Sequence, residues 1–308
     1  MGRKRKGWPI HGWLIVDKPA GMSSNAVVGA ARRATGAAKV GHGGTLDPLA
    51  TGVLPLALGE ATKTVSYAMD GTKVYHFSIR WGVARSTDDA EGEITETSDA
   101  RPDRAAIEAR LADFIGEIEQ VPPAFSAVKI DGQRAYKLAR ADKPVDLAPR
   151  RIVIHDFTLL EMADADHATF QVVSGKGAYM RSLARDLAKA LGTCGHISML
   201  RRIAVGPFSE AAAISLDNLV DVGHSARLAD FLLPVETALD DIPALALTEA
   251  EARRLQHGQP IPVLPVAARS PFKDVGQGDT VCAMSEGKLV ALARISGGEI
   301  RPLRVLNM

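Results

Sequence analysis

The period of apolar positions changes repeatedly along this chain, and each change marks a different element. Trp13-Leu14-Ile15-Val16-Asp17, four apolar residues and an aspartate before Lys18-Pro19-Ala20-Gly21, has the pattern of a short buried strand closed by a turn. Ser23 or Ser24 then caps a helix whose apolar stripe is Ala26, Val27, Ala30, Ala31 and Ala34, ending before Gly36. A second apolar run, Val53 to Leu58, predicts a strand, and a helix is expected near residues 60 to 68. From Thr72 to Trp81 the alternation puts Tyr75, Phe77 and Ile79 on one sheet face and Val74, His76 and Ser78 on the other.

Further on, the pattern predicts an amphipathic helix over Pro102 to Ile115 and a short helix over Gln133 to Ala141. Strands are expected around Ala124 to Ile130, Ile152 to Leu160 and Ala168 to Val173. The clearest helix follows Gly175-Lys176-Gly177, where Met180, Leu183, Ala184, Leu187, Ala190 and Leu191 keep helical spacing up to Gly192. Arg181 and Arg185 lie four apart on its polar side, near the end that a glycine turn can bring to a pocket. After an acidic connection, Glu236 to Asp241, comes a helix over Thr248 to His257. Turn-separated strands follow at Thr280 to Ala283, Leu289 to Ile295 and Ile300 to Leu306. This change of texture divides the chain into a large region, 1–243, and a small, mostly β region, 244–308.

The chain has 308 residues, 46% of them hydrophobic and 24% charged, enough to build a sizeable core. No apolar run approaches the ~18 residues of a membrane span, and the basic start Arg3-Lys4-Arg5-Lys6 lacks the apolar core of a signal, so a cytoplasmic location is expected. Cys194 and Cys282 form no CxxC pair, which argues against a disulfide framework or a cysteine zinc site. A net charge of +1 conceals blocks of opposite sign. Residues 1–64 carry nine basic against three acidic side chains, and residues 170–202 carry six against one. Residues 85–119 carry four basic against eleven acidic ones. If the two basic blocks share a face, they form the footprint of a phosphate backbone, with the acidic block elsewhere. Solvated helix faces account for the same charges.

Residues 41–52, Gly-His-Gly-Gly-Thr-Leu-Asp-Pro-Leu-Ala-Thr-Gly, place one carboxylate, Asp47, in a glycine-rich loop. On local composition alone this is an Asp-Pro turn. Other chemistry is hard to build from the chain. The loop lacks the Lys-Ser/Thr pair of a phosphate-binding P-loop, and the eight histidines show no clear metal-ligand spacing. Neither a GxSxG elbow nor a partnered Cys-His nucleophile is present. Asp47 is therefore the leading nucleophile by elimination.

Several separated segments together resemble the bacterial TruB family of tRNA pseudouridine-55 synthases. They are Asp17-Lys18-Pro19-Ala20-Gly21-Met22-Ser23-Ser24-Asn25, the Asp47 loop running on to Lys63, Val121 to Ala127, Gly177-Ala178-Tyr179-Met180-Arg181, and Gly195-His196 through Arg202. The resemblance spans about residues 10–208 and departs mildly at Gly43, Ala178 and Met180. It implies an α+β pseudouridine-synthase fold with a central mixed, largely antiparallel sheet and a small C-terminal PUA-like RNA-binding domain.

The resemblance also implies isomerisation of the T-loop uridine of tRNA, which needs no cofactor and no metal. Asp47 matches the catalytic aspartate and Arg181 the arginine beside it. Tyr75 matches a pocket tyrosine whose ring can stack on uracil and whose phenol is a candidate for proton transfer. Tyr179 and Leu200 match residues that line the uracil pocket, although core packing explains either one. His42 matches a residue near the flipped nucleotide. Lys18 and the Arg32-Arg33 pair are candidate phosphate contacts, with solvated side chains as the ordinary reading. The implied partner is the T-stem-loop of tRNA, bound by a monomer without guide RNA. Two alternatives are an RNA-binding or RNA-folding protein without essential catalysis and a guide-dependent pseudouridine synthase.

Overall fold

The protein, as a computed structural model, is described over residues 7–126, 128–130, 132–139, 141, 145–270 and 275–308. The basic start at residues 3–6, Ala127 of the family-like segment and Arg140 of the expected short helix lie outside these residues.

The first strand, Gly12–Lys18, is buried along nearly its whole length. It pairs antiparallel with Thr51–Leu58, and between them runs helix Ser24–Thr35. That helix starts where the Ser23 side chain accepts from the Ala26 amide and stops at Gly36, whose φ of 65° takes the left-handed cap conformation. Its buried face, Val27, Ala31 and Ala34, covers the sheet.

The central sheet runs in the order Ile214–Ser215, Gly12–Lys18, Thr51–Leu58, Gly195–Val205, Lys73–Trp81, His167–Ser174, Arg150–Met162, Gly116–Gln120. Its pairings are mostly antiparallel. The parallel ones join Gly12–Lys18 to Ile214–Ser215 and Thr51–Leu58 to Gly195–Val205. At the latter junction Thr51 and Gly52 stand opposite Arg201 and Arg202. Gly52 has φ +96°, and a Cβ there would lie 2.2 Å from the Arg202 carbonyl oxygen, so only glycine lets the two strands meet. Helix Met180–Ala190 packs across Gly195–Val205 and Lys73–Trp81 with Met180, Leu183, Ala184 and Leu187 buried.

The expectation near residues 60–68 resolves into a 3-10 turn, Gly59–Lys63, followed by a short helix, Val65–Asp70. The expected strand over 124–130 is confined to Lys129–Ile130, which pairs with Gln133–Arg134 as a hairpin, so the helix after it covers only Ala135–Ala139. The strands absent from the sequence pattern include the edge strand Gly116–Gln120 and the long central strand Gly195–Val205.

A second, five-stranded sheet lies entirely within 244–305, with helix Glu249–Gln256 closed at its start by a Thr248/Glu251 capping box. This sheet has its own core around Leu255, Val281, Ala293 and Ile300. A further cluster joins it to the large sheet, with Trp13, Ile15, Val53 and Ala57 packed together with Cys282, Leu289, Leu292 and Leu306. Lys63 Nζ donates to the Val305 carbonyl at 2.6 Å and the Asn307 amide donates to Glu60 at 2.9 Å. Both cysteines are buried and free, and burial pushes the Cys282 thiol up to about 12. Among the described residues no helix is long and apolar enough to cross a membrane.

Candidate active site

The Asp47 loop leaves the short strand Val40–His42 and returns into Thr51–Leu58, so both ends are fixed by the sheet. Between those ends it is fastened at several points. The Ser24 hydroxyl donates to the Leu46 carbonyl at 3.1 Å and accepts from the Leu46 amide at 2.8 Å, which binds the residue before Asp47 to the start of the first helix. The Ala50 amide donates to the Asp47 carbonyl at 3.1 Å. From below, Arg202, fully buried, donates to Val53 (2.8 Å), Gly44 (3.1 Å) and Thr45 (3.5 Å) carbonyls. Its charge is thus spread over backbone acceptors, and the loop is held over a buried cation. Gly44 has φ +119°, which suits a residue without Cβ at this bend.

Lys18 departs from its expected role. Its ammonium is fully buried and donates to the Pro19 (2.8 Å), Met22 (2.6 Å) and Pro48 (3.1 Å) carbonyls. It ties the first turn to the residue after Asp47 and offers no free cation to a phosphate. Burial lowers its pKa to about 8, against the raising effect of Asp47. The Arg32-Arg33 pair, in contrast, is exposed in the last turn of its helix.

Arg181 comes to Asp47 from the opposite side. Its guanidinium, 4% exposed, donates from Nε to Asp47 Oδ2 at 2.9 Å, from Nη1 to the Thr87 carbonyl at 3.0 Å and from Nη2 to the Phe125 carbonyl at 3.0 Å. Asp89 Oδ2 lies 3.7 Å from Nη1. Every face of the planar fork has an acceptor, so the group is fixed and can orient the carboxylate of Asp47, which keeps 34% of its surface open.

The start of helix Met180–Ala190 thus brings Arg181 to Asp47, as its place after the glycine turn suggested, but the acidic block does not lie wholly elsewhere, because Asp88 and Asp89 come down on Arg185 and Arg181. Sequence reasoning missed Thr87, Asp88, Asp89 and Arg202. The Asp88-Asp89 doublet was the available signal, lost when charges were summed over a block.

The other candidates lie on neighbouring elements. Leu46, Met180 and Leu200 belong to the large core of the central sheet, and Leu49, Ala178 and Tyr75 pack against that core. Tyr75 stands opposite Arg202 on the neighbouring strand and Val172 on the other side. Tyr179 precedes the helix, its backbone clasped by the Gln120 side chain, which accepts from its amide at 2.8 Å and donates to its carbonyl at 3.1 Å. Burial raises the Tyr179 phenol. His42 is half-buried, its Nδ1 has no hydrogen-bond partner among the described residues, and its pKa is lowered first by burial and then by Arg202. No group of three or more His, Cys, Asp or Glu side chains placed to hold a metal occurs among the described residues.

Residues 32–180 match the model of the TruB family pseudouridylate synthase N-terminal domain, and residues 181–240 match that of the tRNA pseudouridylate synthase B C-terminal domain. A protein of Rhodospirillum rubrum named tRNA pseudouridine synthase B is 62% identical over 308 residues, covering all of both chains. The chain belongs to the TruB family. A Caulobacter vibrioides TruB relative of the same name is 52% identical, again over the whole of both chains. Among solved structures, a Cbf5-Nop10-Gar1 complex aligns with TM-score 0.75 and 26% identity over all of this chain and 90% of that one. An archaeal box H/ACA sRNP Nop10-Cbf5 complex aligns with TM-score 0.73 and 25% identity over 99% and 92%. The two matched TruB regions meet at Met180 and Arg181, so Asp47 comes from the first and Arg181, Leu200 and Arg202 from the second.

Proposed function

We propose that this chain is a guide-independent tRNA pseudouridine synthase, acting on the T-loop uridine with Asp47 as its catalytic group. The observation that carries this reading is the Arg181–Asp47 contact at 2.9 Å: a fixed guanidinium holding a partly open carboxylate on a loop fastened from three sides. The whole-length relatives named tRNA pseudouridine synthase B support the substrate and the absence of a guide.

In the reaction the C1'–N1 bond of uridine breaks, the uracil turns, and C5 bonds to C1'. The C5 hydrogen is released and N1 gains a proton, so product and substrate are isomers. Asp47 can act at the ribose or base as a nucleophile, or as a base on a glycal-like route, and both routes need the same close approach. The uridine must leave the RNA stack to reach it, at a cost of a few kcal/mol. His42, the last residue of strand Val40–His42 where the Asp47 loop begins, fits the space near a flipped nucleotide, and burial lowers its pKa. Tyr75 supplies a ring for stacking, while Tyr179 and Leu200 close the pocket that retains the detached base. The small sheet is assigned as a PUA-like RNA-binding domain (residues 244–308) on the catalytic region (1–243), in a cytoplasmic monomer.

The test is tritium release from a bare T-stem-loop labelled at uridine C5, with no other RNA or protein present. Turnover of one uridine per stem-loop is expected. Binding without tritium release would favour an RNA-folding protein, and turnover only after adding a guide RNA would favour the guide-dependent class.

A further inference from the structure

Arg185 lies one turn beyond Arg181 on the same helix, and its guanidinium reaches three groups. Nη1 contacts Asp88 Oδ2 at 3.0 Å, Nε and Nη2 contact the Asp186 carboxylate at 2.9 and 3.3 Å, and Nη2 also donates to the Val121 carbonyl at 3.0 Å. Two of these belong to the segments that enclose Arg181. Asp88 stands between Thr87 and Asp89, which give Arg181 a carbonyl and a carboxylate. Val121 begins the segment that gives it the Phe125 carbonyl, and the Ser182 hydroxyl holds the same Val121 oxygen at 2.7 Å.

The 87–89 turn does not hold itself in this shape without cost. Asp88 has φ +60°, a left-handed conformation that is uncommon for residues other than glycine, although aspartate tolerates it better than most. The Asp88 backbone is fixed by its amide donating to Arg85 at 3.0 Å and its carbonyl accepting from Ile197 at 3.1 Å. The Asp88 side chain is fixed by Arg185, and both are well covered, at 15% and 20% exposure. A solvent-exposed ion pair of this kind would contribute little. This one sits directly behind the acceptors of a buried guanidinium.

We propose that Arg185 is a positioning residue for the reaction: by clamping Asp88 and the Val121 carbonyl it sets the two walls that hold Arg181 against Asp47. The proposal rests on the reading of Asp47 as the catalytic group. Arg185 acts on the reaction only through Arg181, and this separates it from a residue that merely supports the fold. Displacing a catalytic contact by about 1 Å can cost as much as 10²-fold in rate, so a partial relaxation of these walls is assigned a loss of about tenfold.

The test is single-turnover tritium release from a saturating T-stem-loop by Arg185→Gln, Arg185→Lys and Asp88→Asn, with the dissociation constant of the stem-loop measured in parallel. The expected result is a rate lowered about tenfold in Arg185→Gln and Asp88→Asn, with RNA affinity changed less than about twofold. In an Arg181→Lys background, Arg185→Gln should cost less than about twofold more, because the residue it positions is already altered. Equal losses in both backgrounds, a wild-type rate, or a loss explained by weaker RNA binding would overturn the proposal. If Arg185→Gln does not fold, Arg185→Lys and Asp88→Asn carry the same comparison. Asp47→Asn is assayed alongside: full turnover there rejects the reading of the site, whereas an inactive Asp47→Asn with an unimpaired Arg185→Gln rejects only the positioning role.

Discussion

Arg181→Lys keeps a positive charge beside Asp47 but removes the fork. In the wild type three different nitrogens serve Asp47, Thr87 and Phe125, at 2.9, 3.0 and 3.0 Å. One ammonium on a shorter, unforked side chain cannot span all three directions. If it keeps the carboxylate, two carbonyls in a nearly closed site lose their donor. Each unsatisfied buried acceptor costs about 1–3 kcal/mol, so a loss of about 2–4 kcal/mol is expected after partial relaxation. For a chain of this size that lowers the melting temperature by roughly 3–6 °C. The effect on rate is separate, since Asp47 loses its directed partner while charge is conserved. A fall of about 10²-fold in single-turnover tritium release is expected, with stem-loop affinity little changed. A variant that keeps a rate within about threefold of wild type would refute the argument, because charge alone, and not the fixed geometry, would then suffice.

Other expectations follow from the same loop and its supports. Ser24→Ala removes the hydroxyl that serves both the amide and the carbonyl of Leu46, and should cost about 1–3 kcal/mol in urea unfolding together with a several-fold lower rate; unchanged values would mean that the sheet alone fixes the loop. Gly52→Ala places a Cβ 2.2 Å from the Arg202 carbonyl at a φ of +96°, and should destabilise by more than about 2 kcal/mol or yield no folded protein in thermal melts. His42 is a base whose folded pKa is lowered from 6.5, by burial first and Arg202 second. As pH falls through 6.5 the unfolded chain takes up the proton first, so His42 removes stability in that direction. His42→Gln should therefore lose less stability than wild type between about pH 7 and 5 in urea titrations, and parallel pH curves would contradict the assignment.

Much of the fold is legible where one local pattern dominates. The apolar run at 13–16, the serine-capped alanine stripe before Gly36 and the helical spacing from Met180 to Leu191 each correspond to an element. Strand Gly195–Val205 was not legible, although it is central. Bulges between Ile197 and Met199 and between Arg202 and Ala204 shift its alternation, and one of its interior positions is a buried arginine. Edge strand Gly116–Gln120, with glutamates facing out, resembles a helix tail. At the site, Asp47 stood out for its glycine-rich setting. Lys18 read as a surface turn residue because the three carbonyls that enclose it come from Pro19, Met22 and the distant Pro48. Asp88 and Asp89 were hidden for the opposite reason: their partners lie some 90 residues away on another element, and a charge count by segment sets such partners in opposing blocks.

The central claim is that the carboxylate of Asp47, held by Arg181, carries the isomerisation. Asp47→Asn keeps the size and the hydrogen-bonding reach of the side chain while removing its negative charge. The deciding measurement is single-turnover tritium release from a saturating, C5-labelled T-stem-loop, with binding of the same RNA followed in the same samples. The account expects the RNA to bind about as well as to wild type with no tritium released above background. Release at the wild-type rate from bound RNA would contradict it.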